Sequence, residues 1–244
     1  MSPIRQTERT YRRLMHSAAL TAFRVVVKET DLLIQAPRDL SAEAEESIIR
    51  HRHALESYIS SYPEFATTLS PWHDSSPQPV ILRRMMAAGE AAGVGPMAAV
   101  AGALAHAVGN DLLTLTESVI VENGGDVFFA VPHAVTVGIF AGNSPLSMSV
   151  GVAIARERGP LALCTSSGTI GHSLSLGKAD AVCVVAKDGA LADAAATAIG
   201  NGIRRPEDIH DAITAGSGIR GVEGIVAVMD EKLGAWGDVS LVRV

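Results

Sequence analysis

Apolar positions along this chain switch between a helical period near 3.6 residues and short strand-like runs, and that switching sets the expected elements. Phe23 to Ala36 makes two β runs around Lys28-Glu29-Thr30-Asp31 and predicts a hairpin. Ser41 is placed to cap a helix, with Glu43 and Glu45 near its positive end. Ile48, Ile49, Leu55 and Ile59 carry that helix to a stop near Pro63. The polar, Pro- and Ser-rich stretch from Ser70 to Pro79 reads as a linker or an ordered excursion. Two predicted helices follow, Ile81 to Ala92 and Met97 to Val108, with Pro96 in the first turn of the second. Strands are then predicted at Ser118 to Glu122, Asp126 to Val131, Val135 to Phe140, Leu146 to Ile154, Leu161 to Cys164 and Asp180 to Ala186. An Ala-rich helix from Ala190 to Asn201, another from Pro206 to Ala215, and strands at Glu223 to Asp230 and Val239 to Val244 complete the pattern.

Consecutive strands with helices inserted between them predict an α+β layered fold rather than a strictly alternating doubly wound sheet. Residues 1–75 are expected to form a hairpin-and-helix unit integrated with a body, 76–244, that carries the site. Composition narrows the function classes. Of 244 residues, 48% are hydrophobic and 19% charged, which suffices for a sizeable core. A net charge of −6, with no Lys/Arg cluster, argues against a nucleic-acid surface. No apolar run reaches the roughly 18 residues of a membrane span. Met1 to Leu20 carries Arg5, Arg9, Arg12 and Arg13 but no continuous apolar run before a cleavage site, so it does not read as a secretory signal and the expected location is cytoplasmic. Cys164 and Cys183, in apolar runs without metal or redox spacing, are expected to be buried thiols. The small-residue, apolar stretch from Met85 to Ala105 predicts a homo-oligomer, most simply a two-fold dimer.

Four stretches carry candidate chemistry. Asp193 and Thr197, four apart among alanines, project from one helix face, and a carboxylate with a hydroxyl suits a partial site for a hard ion such as Mg²⁺. An Ala-rich helix is also simply a good helix. Glu122-Asn123-Gly124-Gly125-Asp126 is a hairpin signal at Asn123-Gly124, and a ligand could approach its glycines closely. Cys164-Thr165-Ser166-Ser167-Gly168-Thr169 follows a strand, as an anion-binding loop would, and His172 beyond it is either a base or a satisfied loop histidine. Gly93-Val94-Gly95-Pro96-Met97-Ala98-Ala99-Val100-Ala101-Gly102-Ala103, a Gly-rich lead into a small-residue helix, fits anion binding or close helix packing.

Taken together, Glu122 to Asp126, Cys164 to Thr169, and Ala192-Asp193 with Thr197 resemble the ApbE superfamily, the FAD:protein FMN transferases, and most of all its short, signal-less branch. The resemblance implies an ApbE-like layered fold of mixed sheets with helices packed against them. It implies Mg²⁺ on Asp193 and Thr197 beside an FAD pyrophosphate, with a backbone carbonyl from near Ala99 to Ala101. Cofactor contacts fall on Asn123, Gly124, Gly125, Ser166, Ser167, Gly168 and Thr169, and catalytic roles on Asp126 and His172. The chain departs from the transferases at Thr169-Ile170, where they carry Asp-Tyr, and in the short Gly171 to Lys178 segment. Two functions remain open: Mg²⁺-assisted flavin transfer or phosphoester chemistry on a phosphorylated or heterocyclic small molecule, and non-catalytic binding of a flavin-like cofactor, as a carrier or accessory protein.

Overall fold

The structure is a computed structural model that describes residues 20–155, 159–168 and 176–244. It opens on the expected hairpin, β1 (Thr21–Val27) and β2 (Thr30–Ala36), then α1 (Ser41–Ser61). Ser41 does not cap that helix. It is the first helical residue, and the Asp39 carboxylate accepts from its amide and hydroxyl. Residues 70–79 are an ordered excursion: Trp72 Nε1 donates to the Tyr58 hydroxyl, which donates to Asp74.

The body continues with α2 (Val80–Ala92), a 3-10 turn at Pro96–Ala99, α3 (Val100–Leu112), β3 (Val119–Asn123), β4 (Asp126–Ala130), β5 (Val135–Gly138) and β6 (Val150–Ile154). Then come β7 (Leu161–Ser166), β8 (Ala181–Ala186), α4 (Gly189–Asn201), α5 (Ile209–Ser217), β9 (Val222–Met229), β10 (Lys232–Gly237) and β11 (Ser240–Arg243). The strands form an eight-stranded sheet, β1-β2-β3-β4-β7-β8-β9-β10, and a three-stranded sheet, β11-β6-β5, with every pairing antiparallel.

Three layers result. Helices cover one face of the large sheet and the small sheet covers the other. Strand β8 shows why its sequence is an unbroken apolar run. Val182, Val184 and Ala186 face α4 and α5, whereas Ala181, Cys183 and Val185 face the small sheet with Val152 and Ile154. Side chains alternate along a strand, so a strand buried on both faces has no polar positions left. Helix α4 is held centrally, against α2, α3, β7 and β8.

The predicted strand at Leu146 to Ile154 shortens to Val150–Ile154, because Ser144 caps a turn there, its hydroxyl accepting from Leu146 N and donating to the Asp230 carbonyl. Much of the stretch from Met85 to Ala105 packs inside the chain. Met85, Ala103 and Ala105 are buried within the chain, whereas Ala87, Glu90 and Ala91 are exposed. Both cysteines are buried and free. Among the described residues no single helix is long and apolar enough to cross a membrane.

Candidate functional site

Alternation along β4 fixes the first group. Val127 and Phe129 face the small sheet and Phe128 the helices, so Asp126 shares the helix side with Phe128. It is buried, and its Oδ1 accepts from the Thr165 amide at 3.1 Å, joining the hairpin to the end of β7. The turn itself is displaced by one residue from the expected Asn123-Gly124. Asn123 pairs with Asp126 as the last rung, and Gly124 and Gly125 are the two loop residues, at φ 68° and 107°. Two glycines supply both positive φ angles without a Cβ penalty. Asn123 is thereby free to stay extended, and its Nδ2 donates to the Ala101 carbonyl at 3.1 Å. Glu122, fully buried, accepts from the Gly125 amide at 2.9 Å and locks the turn.

The second group comes from α4. Asp193 Oδ2 accepts from the Gly102 amide at 2.9 Å, and the Ala101 amide also bonds its carboxylate. Those amides lie in the first turn of α3, where backbone donors have no intrahelical partner. Asp193 therefore caps α3 from the neighbouring helix. The two helices can cross this closely because a Cβ at Gly102 would fall 2.2 Å from the Gly189 carbonyl oxygen and 2.8 Å from Asp193 Cβ. Of the two readings of the Gly93 to Ala103 stretch, this favours close helix packing.

Burial raises the Asp193 carboxyl to a pKa of about 7, against the two amides, which pull it down. Asp126 rises well above the usual carboxylate range, first from burial and then from the charge of Asp193, with the Thr165 amide opposing. A like charge beside a buried carboxylate disfavours ionisation. This pair can therefore hold or release a proton near neutral pH, which a general acid or base requires.

Thr197 lies one turn beyond Asp193 on the same face of α4. Further along, Gly200 stands beside Ser166: a Cβ there would lie 3.8 Å from Ser166 Oγ. The hairpin tip, the end of β7 and α4 thus converge. Convergence does not make every expected contact available. The amides of Gly125, Thr165 and Gly168 are already donated, to Glu122, Asp126 and the Ala179 carbonyl, so none of these forms an open anion nest. Ser167 follows β7 half-buried, and Gly168 is exposed. Thr169 and His172 lie outside the described residues.

Among the described residues there is no cluster of three or more His, Cys, Asp or Glu side chains placed to hold a metal ion. The donors present are two electrostatically coupled carboxylates and a hydroxyl, all hard oxygen ligands. They suit Mg²⁺, which takes few protein ligands and completes its shell with water and phosphate oxygens.

Sequence reasoning missed the roles of Gly102 and Glu122. A lone glycine inside a helical run is the signal for the first, since it usually has a packing reason. A carboxylate among β-branched residues is the signal for the second.

A model of the family described as AbpE bacteria matches residues 12–221. UPF0280 protein MJ1526 of Methanocaldococcus jannaschii is 40% identical over 222 residues, covering 88% of this chain and 90% of that protein. A UPF0280 protein of Methanococcoides burtonii is 41% identical over 217 residues, covering 87% and 91%. Among solved structures, the flavin transferase ApbE from Vibrio cholerae is similar with a TM-score of 0.57 at 12% identity, covering 91% of this chain and 97% of that one. The Pseudomonas stutzeri flavinyl transferase ApbE, apo form, matches with a TM-score of 0.52, also at 12% identity, over 89% and 93%.

Proposed function

The chain belongs to the family described as AbpE bacteria, and from that premise we propose that it binds a flavin nucleotide, or a phosphorylated heterocycle of the same kind, together with Mg²⁺. The ligand lies where the Gly124–Asp126 turn, the end of β7 and α4 meet. The observation that carries this reading is a set of bonds joining distant segments in a fold shared with flavin transferases: Asp126 holds the end of β7 at Thr165, and Asp193 and Asn123 both meet the first turn of α3, at Gly102 and Ala101. Asp193 and Thr197 hold the ion, and Asp126 stays close enough to trade a proton with its surroundings. Gly124 and Gly125 keep the wall low for a planar ring system, and Ser166 and Ser167 bring hydroxyls to the same end of the sheet. A bound Mg²⁺ supplies charge neutralisation at a pyrophosphate, which eases attack at phosphorus.

A non-catalytic flavin-binding function is favoured by one specific observation. The Asp193 carboxylate already has work to do without a ligand, capping α3 through Gly102 and Ala101. Calorimetric titration of FAD and of ADP, each with and without Mg²⁺, separates the readings. Asp193→Ala is expected to weaken Mg²⁺-dependent binding by about tenfold or more, as removal of the principal charge holding a cation should. Equal binding by wild type and variant removes the metal role. Flavin binding that ignores Mg²⁺ moves the function to the carrier class.

A further inference from the structure

Away from that site, α2 and the N-terminal end of α4 flank an open cavity of about 520 Å³, with Arg220, in the loop before β9, also in its lining. We infer that this cavity is a second ligand site, for a small organic phosphate with a compact apolar body.

Its lining is divided by chemistry. Val80, Ala87, Ala88, Ala91 and Leu191 make an apolar floor, and Arg83, Arg84 and Arg220 stand around it. One acid, Asp188, is present, and it is already committed: its Oδ1 accepts from the Ala190 and Leu191 amides as the cap of α4, and its Oδ2 lies 3.7 Å from Arg84 Nε. Arg84 is therefore balanced. Arg83 and Arg220 are exposed and have no ion-pair partner among the described residues. Two uncompensated guanidinium groups facing one cavity, in a chain of net charge −6, gather positive potential where the molecule as a whole repels anions. Guanidinium forks match phosphate oxygens in pairs. The volume falls within the range of small-molecule pockets, and the apolar floor selects a ligand with more than a bare anion to bury.

The neighbouring histidine does not add to the charge. His106 is buried behind Gly189, whose amide donates to its Nδ1 at 2.9 Å, and its ring stacks on Phe128 with centroids 4.7 Å apart. Burial, helped by Arg84, lowers it to a pKa of about 4, so the positive charge of the cavity near neutral pH comes from its arginines. Its lining shares no residue with the Asp126–Asp193 site, and Leu191 and Asp193 point to different faces of α4.

The test is calorimetric titration of the whole chain with inorganic pyrophosphate and with ADP, in chelator so that no Mg²⁺ contributes. Wild type is expected to bind both, ADP the more tightly because of the floor. Arg83→Ala/Arg220→Ala should weaken ADP by roughly a hundredfold, about tenfold for each guanidinium removed. Both positions are at the surface, and the same thermal midpoint as wild type confirms an intact fold. Ala87→Trp, which fills the cavity and leaves every charge in place, should abolish ADP binding while pyrophosphate is less affected. Lys232→Ala, which removes an exposed cation outside the cavity, should leave both within about twofold. Absence of binding by wild type, undiminished binding by the double arginine variant, or undiminished ADP binding by Ala87→Trp overturns the assignment. Loss of binding in Lys232→Ala equal to that of the arginine variant overturns it too, since the effect would then be one of overall charge and not of this cavity.

Discussion

Replacing Asp193 with Asn should change how the protein's stability depends on pH, and the expected slope has a definite sign. Burial raises this carboxyl from an ordinary value of 3.8 to about 7 in the folded chain. Between those values the unfolded chain has released the proton while the folded chain still holds it. A raised pKa therefore contributes stability that is full below about pH 4 and is lost as pH climbs toward 7. The gap of roughly three pH units corresponds to about 4 kcal/mol at most, at 1.36 kcal/mol per unit. The side chain is only partly buried and titrates alongside Asp126, so about 2 kcal/mol is a fairer expectation. His106 works in the opposite sense: its lowered pKa makes stability rise with pH between about 4 and 6.5. That contribution is present in both proteins and cancels in the difference.

Asn at 193 also disturbs the capping of α3 at every pH, which sets an offset; only the slope reports on the charge. Thermal unfolding of wild type and Asp193→Asn, followed from acid to neutral pH, should show wild type losing ground to the variant by a few degrees, since 1 kcal/mol moves the midpoint of a chain this size by about 2–4 °C. Adding millimolar Mg²⁺ should restore wild type at neutral pH, where both carboxylates can ionise around the ion, and leave the variant unmoved. Parallel curves in chelator would falsify the desolvated-carboxylate argument. A Mg²⁺ response equal in both proteins would refute Asp193 as a ligand while leaving that argument intact.

Other consequences can be checked together. Gly102→Ala should destabilise the fold by about 1–3 kcal/mol or more and separate α3 from α4, because the new methyl meets the Gly189 carbonyl at 2.2 Å; a denaturant midpoint equal to wild type would count against that crossing. Thr197→Ala should weaken Mg²⁺-dependent nucleotide binding less than Asp193→Ala, by about tenfold at most, since water replaces a neutral oxygen ligand; titration calorimetry ranks the two. Gly125→Val should disrupt the turn, where φ is 107°, by about 1 kcal/mol or more, as read from chemical denaturation. Alkylation of Cys164 and Cys183 should be slow in the native protein and quick after unfolding, since burial raises both thiols, Cys183 to about 11; rapid native labelling would contradict their place in the core.

What can be read from the sequence divides along physical lines. Strands that bury both faces, such as β3, β4, β7 and β8, declare themselves as apolar runs, and their positions follow from the sequence to within a residue or two. Strand β10 is not among the predicted strands. Lys232-Leu233-Gly234-Ala235-Trp236-Gly237 lies at the sheet edge, two of its six residues are glycine, and four are exposed, so it carries no period. It forms because β9 offers a complete row of backbone partners from Met229 to Gly224. The candidate site is legible in its residue types and not in their contacts. Asp193 and Thr197 can be placed on one helix face from spacing alone, because an α-helix fixes what lies four residues on. That Asp193 reaches the amides of Ala101 and Gly102 depends on how two helices cross, and the crossing is set by two glycines, Gly102 and Gly189, whose value lies in the side chains they lack. The same geometry explains how one carboxylate can serve two ends. The first turn of α3 presents free amides and the positive end of its dipole, which hold an anionic group in place. An aspartate held there is oriented before any ligand arrives, and a cation that completes the site offsets the desolvation that disfavours its ionised form in the protein alone. Capping and ion binding are then successive uses of one charge, and the Mg²⁺ dependence of the unfolding curve is where they separate.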